Sequence, residues 1–390
     1  MIYIILLLMG GVAAYLAYKI VLKKIYIWFP SYIVWTWKNT RALAAARPPV
    51  HIMFMVADHF EPGPNTEIVK EWVSQYPVTV QRHRDADDKP PRHSWFYPSE
   101  RAAERLDHFR LLSKLTAEGF GEIELHLHHH DDTEETLRQK LQDAKKFYNR
   151  MGALITTDGK TTFGFIHGNW ALDNSVIINN QNCCGVNNEL NILNEEGCYA
   201  DFTFPAVHTS AQPKKINSIY YAKDDISKPK SYNSGIDVSA GKSDPMDALM
   251  LIQGPLTIHF ERPLQMIPSI ESGGVEWKRP PAMHRVDQWV KANIHVQGQP
   301  DWIFIKVHTH GAVAGSMNIF LKGEMEKIYS YLESKYNDGK NYCLHYVTAR
   351  ETYNIVKAAE SGLSGNPNLY RDYLLKPYRN TLKGFRKDPD

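Results

Sequence analysis

Thiols, net charge and repetition are all scarce in this chain. Four cysteines in 390 residues are too few for a disulfide framework. Cys183 and Cys184 adjoin, Cys198 and Cys343 stand apart, and no Cys-x-x-Cys occurs, so all four read as structural thiols. A net charge of only +2 excludes a general polyanion binder, and no nucleic-acid partner is expected. No internal repeat or low-complexity segment breaks the chain. Its 43% hydrophobic and 23% charged residues are those of an ordinary globular protein. Aromatics, at 12%, suffice to line a polar groove as well as fill a core.

The one long apolar run is N-terminal. From Ile2 to Tyr18 there is no charge, and the apolar character continues to Leu22. As a helix this segment would measure about 31 Å, close to one bilayer core. No basic residue precedes it and no small-residue cleavage site follows, so an uncleaved transmembrane anchor over 1–24 is expected rather than a signal peptide. Residues 25–49, basic and aromatic, suit a juxtamembrane linker at the interface with membrane lipid. Lys19, Lys23, Lys24, Lys38, Arg41 and Arg47 all lie at the end of the run or beyond it. The positive-inside rule then favours the cytoplasm for the rest of the chain, with an uncleaved signal anchor and an extracytoplasmic domain as the alternative. The tail, 363–390, is basic with interleaved tyrosines. It suits an anionic leaflet or solvent equally.

Between these ends, strands alternate with helices. "VHIMFMVAD", "EIELHLH", "TFGFIHGNW", "CYADFTFPA", "GPLTIHFE", "DWIFIKVHTHG" and "NYCLHYVTAR" read as strands. Helical spacing marks segments such as "ERLDHFRLLSKL" and "TLRQKLQDAKKFYNR", and Thr348 with Glu351 forms a capping box for a last helix. The expected fold is α/β, a distorted (β/α)7 barrel over 50–362. Two polar stretches, roughly 212–245 and 262–281, interrupt the rhythm as long loops.

Active sites in such sheets gather at the carboxyl ends of strands. Five strand ends here carry polar outliers: Asp58 and His59; His126 to His130; His167 with Asn169; Asp201; His308 with His310. The densest is "ELHLHHHDD", four histidines in five positions. As a strand, His126, His128 and His130 share a face; as a helix, His126 and His130 still do. That pair is therefore expected to bind a metal, with His128 and His129 as outer or exposed residues. Asp131 and Asp132 read as helix caps, either of which is able to orient an imidazole.

"EIELHLHHH" resembles the histidine motif of polysaccharide deacetylases of the NodB-homology type, in which a strand leads into His-x-x-x-His. "MFMVADHFEPG" is similar to that family's first motif. The resemblance implies a divalent metal, zinc, held by His59, His126 and His130. Asp58 falls on the catalytic base, with a role as ligand left open. His59 replaces the family's metal-binding aspartate. "FIKVHTHG" resembles the motif of the general acid, which falls on His308. Where the family has Arg-x-Pro stands "GFIHGNW", with no arginine. His167, Asn169, Trp170, Asp201 and His310 are left as substrate-binding candidates. The implied activity is hydrolytic removal of an N-acyl group, acetyl or formyl, from a sugar of a glycan or lipid-linked precursor. An all-imidazole site also suits nickel, copper or iron. A glycosidase is the enzyme alternative and would need opposed carboxylates, for which Asp58, Asp201 and Glu61 are available. A membrane-anchored protein with a degenerate site is the non-enzymatic one.

Overall fold

The computed structural model describes residues 11, 15, 18–245, 247–261 and 268–380. It is a mixed α/β fold around a mostly parallel sheet. The principal strands are β1 (Val50–His59), β2 (His93–Pro98), β3 (Gly121–Leu127), β4 (Phe163–His167), β5 (Cys198–Asp201), β6 (Ile219–Ala222), β7 (Leu249–Ile252), β8 (Trp302–Thr309) and β9 (Tyr342–Tyr346). They lie in the order β8-β1-β2-β3-β4-β5-β7-β6, followed by the short strand Ile236–Asp237. The first seven strands of that order run parallel, and β6 is antiparallel to β7. A parallel sheet covered on both faces asks for apolar runs instead of alternation. β1 shows this, with all ten residues buried.

β1 is the hub. β8 pairs along one edge, from His51 opposite Trp302 to Asp58 opposite Thr309. The other edge is divided: β9 takes residues 50–54 and β2 takes residues 56–59. Ile52, Phe54 and Val56 pack with Trp72 and Phe320 from the surrounding helices. Met53, Met55 and Ala57 face the strand-side cluster of Phe96, Ile166, Phe202, Met250 and Phe304. Between β7 and β8 no continuous ladder forms. The seam is filled by the segment around Gly273 to Val275, where Val275 N donates to His308 O (2.8 Å) and His308 N to Gly273 O (2.9 Å).

Helices stand where their termini are signalled. Glu134–Arg150 opens on a capping box made by Thr133 and Thr136, and Ala349–Glu360 on the expected Thr348–Glu351 box. Thr66–Val80, with Pro77 inside it, and strand β2 were not legible as elements. "GPLTIHFE" is not a barrel strand. Its residues 257–259 form a short antiparallel hairpin with 269–271, and the barrel strand is the preceding "LMLI".

Both termini differ from a simple anchor-and-tail picture. The expected span over 1–24 lies largely outside the described residues, and among those described no helix is long and apolar enough to cross a membrane. Residues of the expected linker form the helix Phe29–Ala45, seated on the barrel by buried Trp28 against Ile216 and Leu256 and by Asn39, which donates to Lys291 O (2.9 Å). It leaves Ile33, Val34 and Trp37 exposed. The described part of the tail, to residue 380, packs back on the barrel. Arg371 is buried against Asp85, Asp87 and Glu351, and the Tyr378 hydroxyl donates to Glu124 (3.1 Å).

Candidate metal and catalytic site

Parallel pairing places the ends of β1, β3, β4 and β8 together. There, two close groups of potential ligands share Glu61: His59, Glu61 and His310, and Glu61, His126 and His128, the ligand atoms of each group within 4.8 Å of one another. The His59 ring stacks on His310 at 4.7 Å between centroids and meets His126 edge-on at 5.1 Å. Trp170 stands 6.4 Å from His59 and 6.3 Å from His310, forming one wall.

The imidazoles are oriented from behind. His126 Nδ1 donates to Ile166 O (2.8 Å), His128 Nδ1 faces Glu100 Oε1 (2.9 Å) and His310 Nδ1 faces Glu276 Oε1 (2.8 Å). Each ring thereby commits Nδ1 to an oxygen, the arrangement typical of metal-ligating histidine. For His126 this sets Nε2 against Glu61 Oε1 at 3.0 Å, an acceptor facing an acceptor unless a cation or proton lies between them. The His59 ring is buried. Its pKa is held well below the usual histidine range by burial and by neighbouring His310, His126 and His308. Burial would raise the Glu61 carboxyl, but the hydrogen bond and charge of His126, with His128 and His310, bring it below its ordinary value. The donor set of neutral imidazole and carboxylate fits a divalent transition metal.

The structure brings His59, His126 and His310 together, whereas His130 is exposed and belongs to neither group. The strand ends at Leu127, and the chain turns at Asp131 (φ 47°), so His128 stays with the group while His130 lies at the turn and faces solvent. His129 points the other way and is buried.

The remaining candidates divide. Asp58 has no exposed surface. Its Oδ2 accepts from His93 Nε2 (2.9 Å) and its Oδ1 from Gly311 N (2.6 Å), so both oxygens are engaged behind His59. His308 is half-buried. Its Nδ1 is buried without a partner, and burial followed by nearby Lys306 holds its pKa down to about 3. It is therefore neutral at pH 7. His310 is partly exposed at the cleft. Burial would lower it, but Glu276 raises it above the usual histidine value. Asn169 and Trp170 adopt positive φ (55° and 56°) on the turn after β4, next to the cleft. His167 and Asp201 are buried away from it. Asp201 Oδ1 accepts from Thr203 N and Oδ2 from Thr203 Oγ1, and burial pushes its carboxyl up to about 7.

Sequence reasoning weighed Glu61 only as a glycosidase carboxylate and passed over Glu100, His93, Glu276 and Gly311. Only His128 carried a local signal, its even spacing from His126. Glu61 and Gly311 adjoin His59 and His310 in the sequence, whereas Glu100, His93 and Glu276 reach the site from elements far away in it.

No family model matches the sequence, and no curated protein does. Among solved structures the chain is similar to a candidate polysaccharide deacetylase from Mycobacterium smegmatis, at 10% identity and a TM-score of 0.42, covering 82% of this chain and 95% of that one. It is also similar to a candidate glycoside hydrolase/deacetylase from Parabacteroides distasonis, at 10% identity and a TM-score of 0.39, covering 80% and 70%. Overlaps this loose say nothing of activity, which has to come from the side chains.

Proposed function

We propose that the protein is a metal-dependent hydrolase that removes an N-acyl group from a sugar of a glycan or lipid-linked precursor. One observation carries this: His59, His126, His128 and His310 gather around the partly exposed Glu61 carboxylate, the last three with Nδ1 held by an oxygen. His59, His126 and His128 would hold the metal, zinc being the ion such donors suit best. When bound, it would acidify a water and polarise the acyl carbonyl.

The chain's own groups supply proton transfer. Glu61, about one-third exposed in its side chain, is the carboxylate able to accept a proton from water in the cleft. Asp58 is read instead as a positioning residue, because it reaches no solvent and fixes the turn at Gly311 that presents His310. His310, backed by Glu276, is placed to protonate the leaving amine, a role that suits His308 less because burial and Lys306 keep it unprotonated. Trp170 offers a flat apolar wall for a sugar ring. A glycosidase would need a second carboxylate facing the first across the cleft. Asp201 is buried, and Glu276 is engaged by His310.

The membrane setting belongs to the same proposal: an anchor before residue 25, a cytoplasmic barrel, and the exposed apolar side chains of Phe29–Ala45 against lipid. The test is metal content of the purified chain alongside amine release from N-acetyl and N-formyl sugars. Metal bound without amine release from any acylated sugar would refute the activity; no metal bound at all would refute the site.

A further inference from the structure

Behind the cleft lies a second group that the hydrolysis does not use. His129, His167, Cys184 and Glu189 are all buried, with ligand atoms within 4.8 Å of one another. His129 and His167 leave the ends of neighbouring strands β3 and β4. Cys184 and Glu189 come from the excursion that follows β4.

The hydrogen bonding is anomalous for a group without a cation. His167 Nδ1 donates to Gly168 O (2.6 Å), which fixes Nε2 as an acceptor. That Nε2 is buried without a hydrogen-bond partner and sits 3.3 Å from Glu189 Oε1, another acceptor. His129 Nδ1 lies 3.0 Å from Asp132 Oδ2, and its Nε2 faces the same Glu189 oxygen at 3.0 Å. Cys184 Sγ is 3.4 Å from the other Glu189 oxygen. A proton on His129 would relieve one of these approaches and leave the other. Relieving both with protons on the rings would put two imidazolium rings in a sealed site.

We propose that His129, His167, Cys184 and Glu189 form a closed structural site for a divalent metal, zinc in type, separate from the open cleft. Two imidazoles, a thiolate and a carboxylate complete a tetrahedron, leaving no position for substrate. Thiolate and carboxylate together neutralise the ion, which lowers the cost of burying it. Asp132 and Gly168 O already hold the outer ring nitrogens, as such sites require. Bond lengths of about 2.0 to 2.3 Å put ligands about 3.3 to 3.8 Å apart, close to the present spacing. The loop is clamped for this role. Cys184 O accepts from Asp132 N (2.9 Å), and Gly185 has φ +101°, with the space for its Cβ only 2.4 Å from Asp132 N. The site would fasten the excursion to the two strand ends that present His126, His128 and Trp170.

The test uses full-length protein loaded anaerobically with Co²⁺, followed by near-ultraviolet absorption and metal analysis. Thiolate ligation gives a charge-transfer band that the cysteine-free cleft cannot produce. The band is expected in the wild type and in Cys183→Ser, lost in Cys184→Ser, and displaced by Zn²⁺. Metal content should fall from about two to about one per chain in His167→Gln. A wild type that binds cobalt without the band, or a band that survives Cys184→Ser, overturns the proposal. If Cys184→Ser fails to fold, the wild-type and Cys183→Ser spectra still decide. One metal per chain with the band intact supports this site and counts against the cleft.

Discussion

Replacing Gly311 with alanine tests whether the cleft depends on its buried support. A Cβ at this position would lie 2.2 Å from Asp58 Oδ2 and 2.9 Å from Trp72 Cζ2. Ordinary contact begins near 3.4 Å, so the carboxylate and the turn must separate by roughly 1.2 Å. The tryptophan side cannot yield easily, because Trp72 is buried and its Nε1 donates to Gly311 O (3.0 Å). The strain therefore falls on Asp58 and on the turn that carries His310. A displacement of about 1 Å in a catalytic group costs about 10²-fold in rate. Overpacking should cost a further 1 to 3 kcal/mol or so of stability. The expected result is a loss of amine release of about 10²-fold, with metal content unchanged, since no proposed ligand is touched. Asp58→Asn should give a similar loss. Turnover within about threefold of wild type in a Gly311→Ala protein would show that the 310–311 turn does not set the chemistry.

Glu61→Gln should keep its metal and lose turnover by about 10² to 10⁴-fold; a loss of metal as well would make Glu61 a ligand. In elemental analysis His126→Ala and His128→Ala should be depleted of the cleft metal and His130→Ala should not; depletion in His130→Ala would restore the i, i+4 pair. Glu271 is held by Arg285 (2.7 and 2.9 Å), Trp289 and Gly273 N, and despite full burial its pKa is lowered from 4.5 to about 2, chiefly through Arg285. A lowered carboxyl contributes stability above its unfolded pKa and loses it as pH falls through the folded one. About 3 kcal/mol should therefore disappear between roughly pH 4.5 and pH 2. Urea melts of Glu271→Gln should show a protein weaker by about 3 to 5 kcal/mol at pH 7, and a wild-type-like slope in that acid window would contradict the assignment. Protease should digest the domain in inverted vesicles and spare it in spheroplasts; the reverse would move the enzyme outside the cell.

The sheet was legible because burial on both faces leaves unmistakable apolar runs, as in β1 and β8. β2 escaped because "HSWFYP" begins with two polar residues that are buried for particular reasons: His93 to bond Asp58, and Ser94 Oγ to accept from Ala349 N (2.9 Å). Strand ends pointed to the right end of the barrel, and Asp58, His59, His126 and His310 do gather there. What the sequence could not show was which polar residues face the opening. His308 and His310 look alike as letters, yet burial and Lys306 hold the first below the ordinary histidine range while Glu276 holds the second above it. Glu276 and Glu100 were invisible for another reason. Their partners lie 34 and 28 residues away, and no local period links them.

The allotment of histidines around the end of β3 also limits how this chain can change. His126 and His128 serve the cleft, and His129 serves the sealed group behind it. Because alternate residues of an extended segment face opposite ways, a single deletion between Gly121 and Leu125 would turn the cleft rings inward and send His129 outward. Both sites would fail at once. An insertion of two residues would restore the facing but shift each ring about 6.6 Å along the strand, past its partner. Relatives of this protein should therefore vary in the loops around "HLHHH", but not in the length of the strand that delivers it.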